Sequence, residues 1–438
     1  MECPVCGAEF ESDVLSLHVE QHFTDDEPPS YPLKVCQFPG CGVSIADDEM
    51  DDHMLAHSFE ESAPPTTDHD AMNDSLLARL IDEEGAAAGS SHDDHMSSDE
   101  TIARQIQKEN DKKLEEENFR QLQETYGMGE GSKGGYTKQF EDTMDRRVGG
   151  SRGVSVGDYY ARKADLHAAM ITGHDSNRTR TRGVIPILKS IRVVNNPPQE
   201  RYYTVDATDH FSADTGDGGW GCGYRNIQML ISALLSDETY AKCFELLGEL
   251  QVPSIPTIQS LIERAWADGF DTAGRDQLGG NLSGTRKWVG TTEAAALLRW
   301  LRIRACVVDF HRPTGEDNQH TLMFEWILNY FKVRNAERSA QPPPFPLYIQ
   351  HQGHSRTCVG CEVNSKWESP LKVVIFDPSC GKMAGFKTGN EKQMSQSLKK
   401  SLKQMKQRQF QVLYVDGVLE TTAEIEASKV VHPLRIPP

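Results

Sequence analysis

Apolar residues cluster into a few periodic segments separated by long polar ones, and the periods predict most of the elements. Ile227, Leu230, Ile231 and Leu234 recur at intervals of three and four, the period of a helix with one buried face. Glycines crowd the approach, Asp217-Gly-Gly-Trp-Gly-Cys222-Gly, so the helix is expected to begin at Cys222. The run Tyr348 to Val363 reads as a turn entering a strand, and Lys372 to Phe376 as a second strand ending at Asp377-Pro378. Gln411 to Val415 reads as a closing strand, with a turn at Asp416-Gly417. Between them, Lys-rich Gln396 to Phe410 carries Leu398, Leu402 and Met405, a narrow stripe that predicts an amphipathic helix with its lysines in solvent. Upstream, Asp158 to Met170 reads as a helix. It is followed by Arg178, Arg180 and Arg182, a cluster whose plainest reading is a solvated loop.

The polar segments divide the rest. Residues 59–98 hold acid, Ser, Gly and Pro with few aromatics, a composition that cannot bury enough surface to fold, so they read as a disordered acidic linker. Its histidines His69, His92 and His95 read as solvated. Residues 126–157 are Gly-rich and read as a second linker. Between the linkers, residues 99–125 open on acids and place Ile102, Ala103 and Ile106 on one helical face. A small Ala between two aliphatics lets a flat apolar patch of a partner approach. Asp74 to Glu84, with Leu77, Ala78 and Ile81, is a weaker copy.

Charge sharpens this division. The 438 residues carry a net charge of -19, yet residues 1–100 hold 25 Asp and Glu against Lys34 and Arg79, which is -23. The remainder is therefore near neutral. With about 150 residues per domain there is room for roughly three domains. No apolar run reaches the ~18 residues of a membrane span. MECPVC has neither the basic nor the apolar region of a signal peptide. The ten cysteines are expected to be reduced, hence metal ligands, a nucleophile or core fillers rather than disulfides.

Eight candidate metal ligands fall in two sets. Cys3, Cys6, His18 and His22 (residues 1–24) are spaced C-x2-C-x11-H-x3-H, and Cys36, Cys41, His53 and His57 (34–58) are spaced C-x4-C-x11-H-x3-H. Two thiolates from a knuckle and two imidazoles one helical turn apart suit tetrahedral zinc, so two structural zinc sites are expected. Units this small fold only with the metal. Neither helical segment carries Lys or Arg: Gly7 to Phe23 has none, nor do the residues after Cys36 as far as Phe59. Contact with phosphate is therefore disfavoured, and protein binding is expected, with no direct nucleic acid and no membrane.

The chemistry is expected at Cys222. A helix N-terminus favours thiolate, and flanking glycines let a substrate backbone approach. Two antiparallel strands would bring His354 beside Asp377. Cys222 would then attack a carbonyl, His354 would carry the proton and Asp377 would orient the imidazole. His351 is the rival base. Cys358 and Cys361 raise a third zinc site, but the bland reading, apolar strand residues, is preferred.

Several long motifs in fixed order carry a resemblance: GDGGWGCGYRNIQML, LYIQHQGHSRT, FDPSCG, RKADLHAAM, TRTRGVI, TIQSLIERAW, VVDFHRPTG and FEWILNY. From about Tyr160 to Pro438 the chain resembles the ZUFSP family, zinc-finger proteins with a ubiquitin-fold-modifier-specific-peptidase-like domain. The resemblance implies an α+β, papain-like cysteine peptidase core (184–438) with a helical ubiquitin-binding arm (158–183), preceded by two small C2H2 zinc fingers and disordered acidic linkers. It implies a deubiquitinase for lysine-63-linked polyubiquitin, with Cys222, His354 and Asp377 as catalytic residues and Gln350 as the oxyanion amide. The first finger resembles the ubiquitin-binding C2H2 type. Residues 99–109 resemble the inverted ubiquitin-interacting helix, with Ile102, Ala103 and Ile106 as ubiquitin contacts. Ubiquitin chains are thus the expected partners, and genome-maintenance proteins in nucleus and cytoplasm are further expectations. A peptidase for another ubiquitin-like modifier and a non-enzymatic ubiquitin-binding scaffold are the alternatives.

Overall fold

The computed structural model describes residues 33–35, 44–46, 133–148, 154–194, 200–248, 250–336, 342–364, 370–381 and 397–437. The eight finger ligands, both linker helices' apolar faces (Ile102, Ala103 and Ile106 among them) and the acidic linker lie outside them. Strands β1 (Leu33–Val35) and β2 (Ser44–Ala46) pair antiparallel, Leu33 opposite Ala46.

Two helices follow. α1 (Gly135–Arg147) falls inside the segment read as a Gly-rich linker and corrects that reading. Its glycines lie only at its start. Beyond them Tyr136, Phe140 and Met144 recur every fourth residue, and Phe140 and Met144 are buried against Leu166. That residue belongs to α2 (Val156–Thr172), as expected of the arm. The Ser155 hydroxyl accepts the Asp158 N–H, and Gly173, at φ 75°, closes the helix in the left-handed conformation that glycine tolerates. Next come β3 (Arg180–Thr181), α3 (Val184–Val194), β4 (Glu200–Thr204) and β5 (His210–Phe211). The arginine cluster between α2 and α3 is not a solvated loop: Arg178 is ion-paired with Asp214, and Arg180 with Asp209 at 2.5 Å.

Then come α4 (Cys222–Leu234), α5 (Ile255–Ala267), α6 (Thr291–Trp300), β6 (Ile303–Phe310) and α7 (Thr321–Ala336). Strands β7 (Leu347–His351), β8 (His354–Asn364), β9 (Pro370–Phe376), β10 (Lys399–Lys400) and β11 (Phe410–Val418), then α8 (Thr422–Ser428) and β12 (Leu434–Arg435), follow. The strands form one sheet, ordered β10-β9-β8-β7-β11-β6-β12, with β4 on the far half of β8. All pairings are antiparallel except β12 on β6, so the α+β expectation agrees with the topology. β11 is central, between β6 and β7, and runs on through Asp416-Gly417 where a turn was expected.

Side chains alternate across this sheet. On one face Gln411 reaches Thr291 at the start of α6, and Ser355 and Thr357 reach Asn226 of α4. On the other, Tyr414 meets the rings of Trp326 and Tyr330 on α7. Helices thus cover both faces, and the largest buried side chains, Trp266, Tyr224, Tyr348 and Phe331 among them, fill the two layers.

The stretch before β11 is not the expected amphipathic helix. Lys399 and Lys400 pair with β9 as an edge strand, and a single 3-10 turn, Leu402–Gln404, follows. Leu398 and Met405 are buried as the stripe predicted. However, the Leu398 carbonyl accepts the Ile375 N–H, and Lys399 pairs with buried Glu362 at 2.8 Å. A strand and turn satisfy that spacing as well as a helix does.

Candidate active site

The site forms where the N-terminus of α4 meets the leading end of β8. Gly221 precedes the helix without a side-chain cap, so its first N–H groups and dipole act on Cys222 itself. Gly223 is required by close approach: a Cβ there would strike the Val289 carbonyl and lie 3.1 Å from the Tyr348 hydroxyl. Asn226, wholly buried one turn on, fixes the helix against the sheet. Its Nδ2 donates to the Cys222 carbonyl (2.8 Å) and the Ser355 hydroxyl (3.0 Å), and its Oδ1 accepts from Thr357 Oγ1 (2.6 Å).

Registry along β8 and β9 brings the other two groups in. Thr357 lies opposite Phe376, so His354 and Asp377 meet at the shared end of the hairpin. His354 Nε2 donates to Asp377 Oδ1 at 2.9 Å. The other ring nitrogen is left for Cys222, whose thiol the imidazole stabilises. Asp377 is held further by the Ser379 N–H (2.9 Å) and hydroxyl (2.7 Å) on Oδ1 and by Arg356 Nε on Oδ2 (2.6 Å).

These contacts set the charges. Burial alone would push the Cys222 thiol up, but the hydrogen bond and positive charge of His354, with help from Ser355, hold it below its ordinary value. Burial would likewise lower His354, yet the Asp377 carboxylate outweighs it and the repulsion of Arg356, raising the imidazole to about 9. Asp377, despite burial, is held well below the usual carboxylate range by His354 and Arg356. A lowered thiol beside a raised imidazole favours the thiolate and imidazolium pair that can attack a carbonyl.

His351, the rival base, is locked away from this reaction. Its Nδ1 donates to the Gln352 carbonyl (2.8 Å) and its Nε2 accepts from Arg356 Nη1 (2.8 Å). Burial and the neighbouring Arg356 keep it neutral. Cys358 and Cys361 are both fully buried strand residues, and burial raises both thiols. No group of three or more metal-binding side chains occurs among the described residues.

Gln350 lies on β7 opposite Ser355. Its Oε1 accepts the Thr291 N–H at the start of α6 (2.8 Å), which fixes the plane of the amide. A Cβ on Gly290 would collide with this amide, so Gly290 is a spacer between Gln350 and the Val289 carbonyl that abuts Gly223. Sequence reasoning missed Asn226, Ser355 and Arg356. The only signal was that polar residues at 226, 355 and 357 interrupt positions the apolar period assigns to the core.

A thiol on a helix N-terminus, an imidazole at the end of an antiparallel strand and a carboxylate at the end of the next define a papain-like cysteine peptidase. Similarity to known proteins narrows the class. Peptidase family C78 matches residues 199–413. The "Zinc finger-containing ubiquitin peptidase 1" of Mus musculus is 34% identical, over all of this chain and 74% of its own. The "Ubiquitin carboxyl-terminal hydrolase mug105" of Schizosaccharomyces pombe is 34% identical over 47% of this chain and 79% of its own. A crystal structure of UfSP from C. elegans aligns with 56% of this chain and 39% of its own at 19% identity, with a TM-score of 0.35. The chain belongs to peptidase family C78, in the branch of the zinc finger-containing ubiquitin peptidases.

Proposed function

We propose that the protein is a deubiquitinase, a cysteine isopeptidase for polyubiquitin and in particular for lysine-63-linked chains. The alignment of Cys222 at the start of α4 with His354, itself hydrogen-bonded to Asp377, carries the proposal, and the names of the mouse and fission-yeast relatives supply the substrate class. The Cys222 thiolate adds to the carbonyl of the isopeptide bond. His354 then gives its proton to the departing lysine amine, leaving ubiquitin as a thioester on Cys222. Water, deprotonated by His354, attacks that thioester, releasing ubiquitin and restoring the Cys222 thiolate beside protonated His354. Asp377 keeps the imidazole oriented through both transfers.

Gln350 Nε2 is the side-chain donor for the tetrahedral oxyanion, aimed by the Thr291 N–H on its Oε1. Gln350→Ala is expected to lower kcat by about 10²–10³. Gly290→Ala, which displaces the same amide, should act in the same direction. Iodoacetamide alkylation of Cys222 needs no oxyanion donor, so its rate should stay within about twofold in both variants. A parallel fall in alkylation would instead mean that Gln350 supports the thiolate.

The remaining modules hold the chain. α2 leaves Val156, Tyr160 and Ile171 exposed along one helical stripe, suited to an apolar patch on ubiquitin. Cys36, Cys41, His53 and His57 would hold one structural zinc, and Cys3, Cys6, His18 and His22 another. Ile102, Ala103 and Ile106 form a further ubiquitin contact. Tethered weak modules raise effective concentration and favour long chains. Deleting residues 99–109 should therefore reduce cleavage of long chains several-fold more than cleavage of a single-ubiquitin amide. Equal loss on both would reject that role.

A panel of modifiers bearing a C-terminal electrophile tests the substrate class. The ubiquitin probe should label Cys222 and the other modifiers should not. Labelling by a different modifier alone would reassign the substrate.

A further inference from the structure

The approach to Cys222 has glycine at 216, 218, 219 and 221. Such a loop loses much backbone entropy on ordering and offers few side chains to hold it. From inside it is held by Arg225, whose guanidinium grips both oxygens of Asp217 at 2.9 Å. Its outer wall comes from α1. Gln139 Nε2 donates to the Gly218 carbonyl (2.9 Å), and Gln139 Oε1 accepts the Trp220 indole N–H (2.9 Å). One amide thus brackets the three residues that lead into Gly221 and Cys222. Beside it the Tyr136 ring lies so close to Gly216 that a Cβ there would stand 2.7 Å from it. α1 is itself fixed, by the Gly134 N–H on the Gly284 carbonyl (2.8 Å) and by the packing of Phe140 and Met144 on α2.

We propose that Gln139 is a positioning residue for Cys222, clamping the Gly218–Trp220 segment so that α1, although outside residues 199–413, belongs to the catalytic unit. Gln139 touches no reacting atom. Its effect is to narrow the positions Cys222 samples relative to His354, since reaction needs the attacking atom held near its attack geometry. The inference rests on Cys222 being the nucleophile.

Full-length Gln139→Ala is the test, with a fluorogenic ubiquitin C-terminal amide and with hydrogen exchange. Loss of two neutral hydrogen bonds should lower kcat about tenfold with KM within about twofold. Amides of residues 216–222 should exchange faster while those of β7 and β11 do not change. Trp220→Phe keeps an aromatic side chain and removes the N–H, so it should act in the same direction. Combined with Gln139→Ala it should be no worse than Gln139→Ala alone. Unchanged exchange over 216–222 with kcat within twofold would overturn the proposal, as would additive losses in the double variant. Persistent cleavage by Cys222→Ala would overturn the nucleophile assignment and the proposal with it, and is read separately from the exchange result.

Discussion

His354→Ala is expected to lower kcat/KM on a ubiquitin amide by about 10²–10⁴, the typical contribution of a positioned acid and base. The loss should be twofold in origin. Without the imidazolium, burial returns the Cys222 thiol towards or above its ordinary value, so little thiolate remains at neutral pH. Without the proton donor, the amine also leaves poorly. The wild-type pH profile follows from the same pair. Activity should rise on the acid side as Cys222 ionises, below the pH of a free thiol. It should fall near pH 9 as His354 loses the proton it must donate. Asp377→Asn removes the carboxylate that raises His354, so the alkaline limb should move towards the ordinary histidine value and the plateau should narrow. A plateau of unchanged width in Asp377→Asn, measured from kcat/KM against pH, would show that Asp377 does not set the imidazole.

Arg225→Ala should produce the largest loss of stability, about 3–5 kcal/mol in denaturant unfolding, because it strands a buried carboxylate. Arg225 is 2% exposed and Asp217 1%. Beyond its bidentate grip on Asp217, Arg225 Nη1 donates to Asp175 (3.2 Å), Thr179 (3.0 Å) and Gln228 (3.1 Å). This one side chain therefore ties the Cys222 approach loop and the α2–β3 connection to α4. Removing the charge at both ends, as Arg225→Met with Asp217→Asn, should recover part of the loss, since an uncompensated charge costs more than a missing pair. A loss under about 1 kcal/mol for Arg225→Ala would mean that water reaches Asp217 and the network is less dry than its burial indicates.

The parts of the site that were legible from sequence are those set by local periodicity. The spacing of Ile227, Leu230, Ile231 and Leu234 places Cys222 at a helix start, and two short apolar runs bring His354 beside Asp377. What was not legible depends on contacts between distant segments. Gln350 is aimed by a backbone amide of α6, 59 residues away in sequence. Gln139 reads as one polar residue in a Gly-rich stretch, and its role appears only when α1 meets the loop 79 residues on. The error over 396–410 has another cause. Leu398, Leu402 and Met405 satisfy a helical period, but an edge strand followed by a turn buries Leu398 and Met405 equally well, and β9 needed a partner on its outer side.

Gel analysis of tetra-ubiquitin of every linkage, incubated with the intact protein and with Cys222→Ala, tests the central claim most directly. Cleavage of the lysine-63-linked chain in preference to the others, abolished in Cys222→Ala, is the expected result. Cleavage that survives in Cys222→Ala, or chains of every linkage bound but left intact by the wild-type protein, would contradict it.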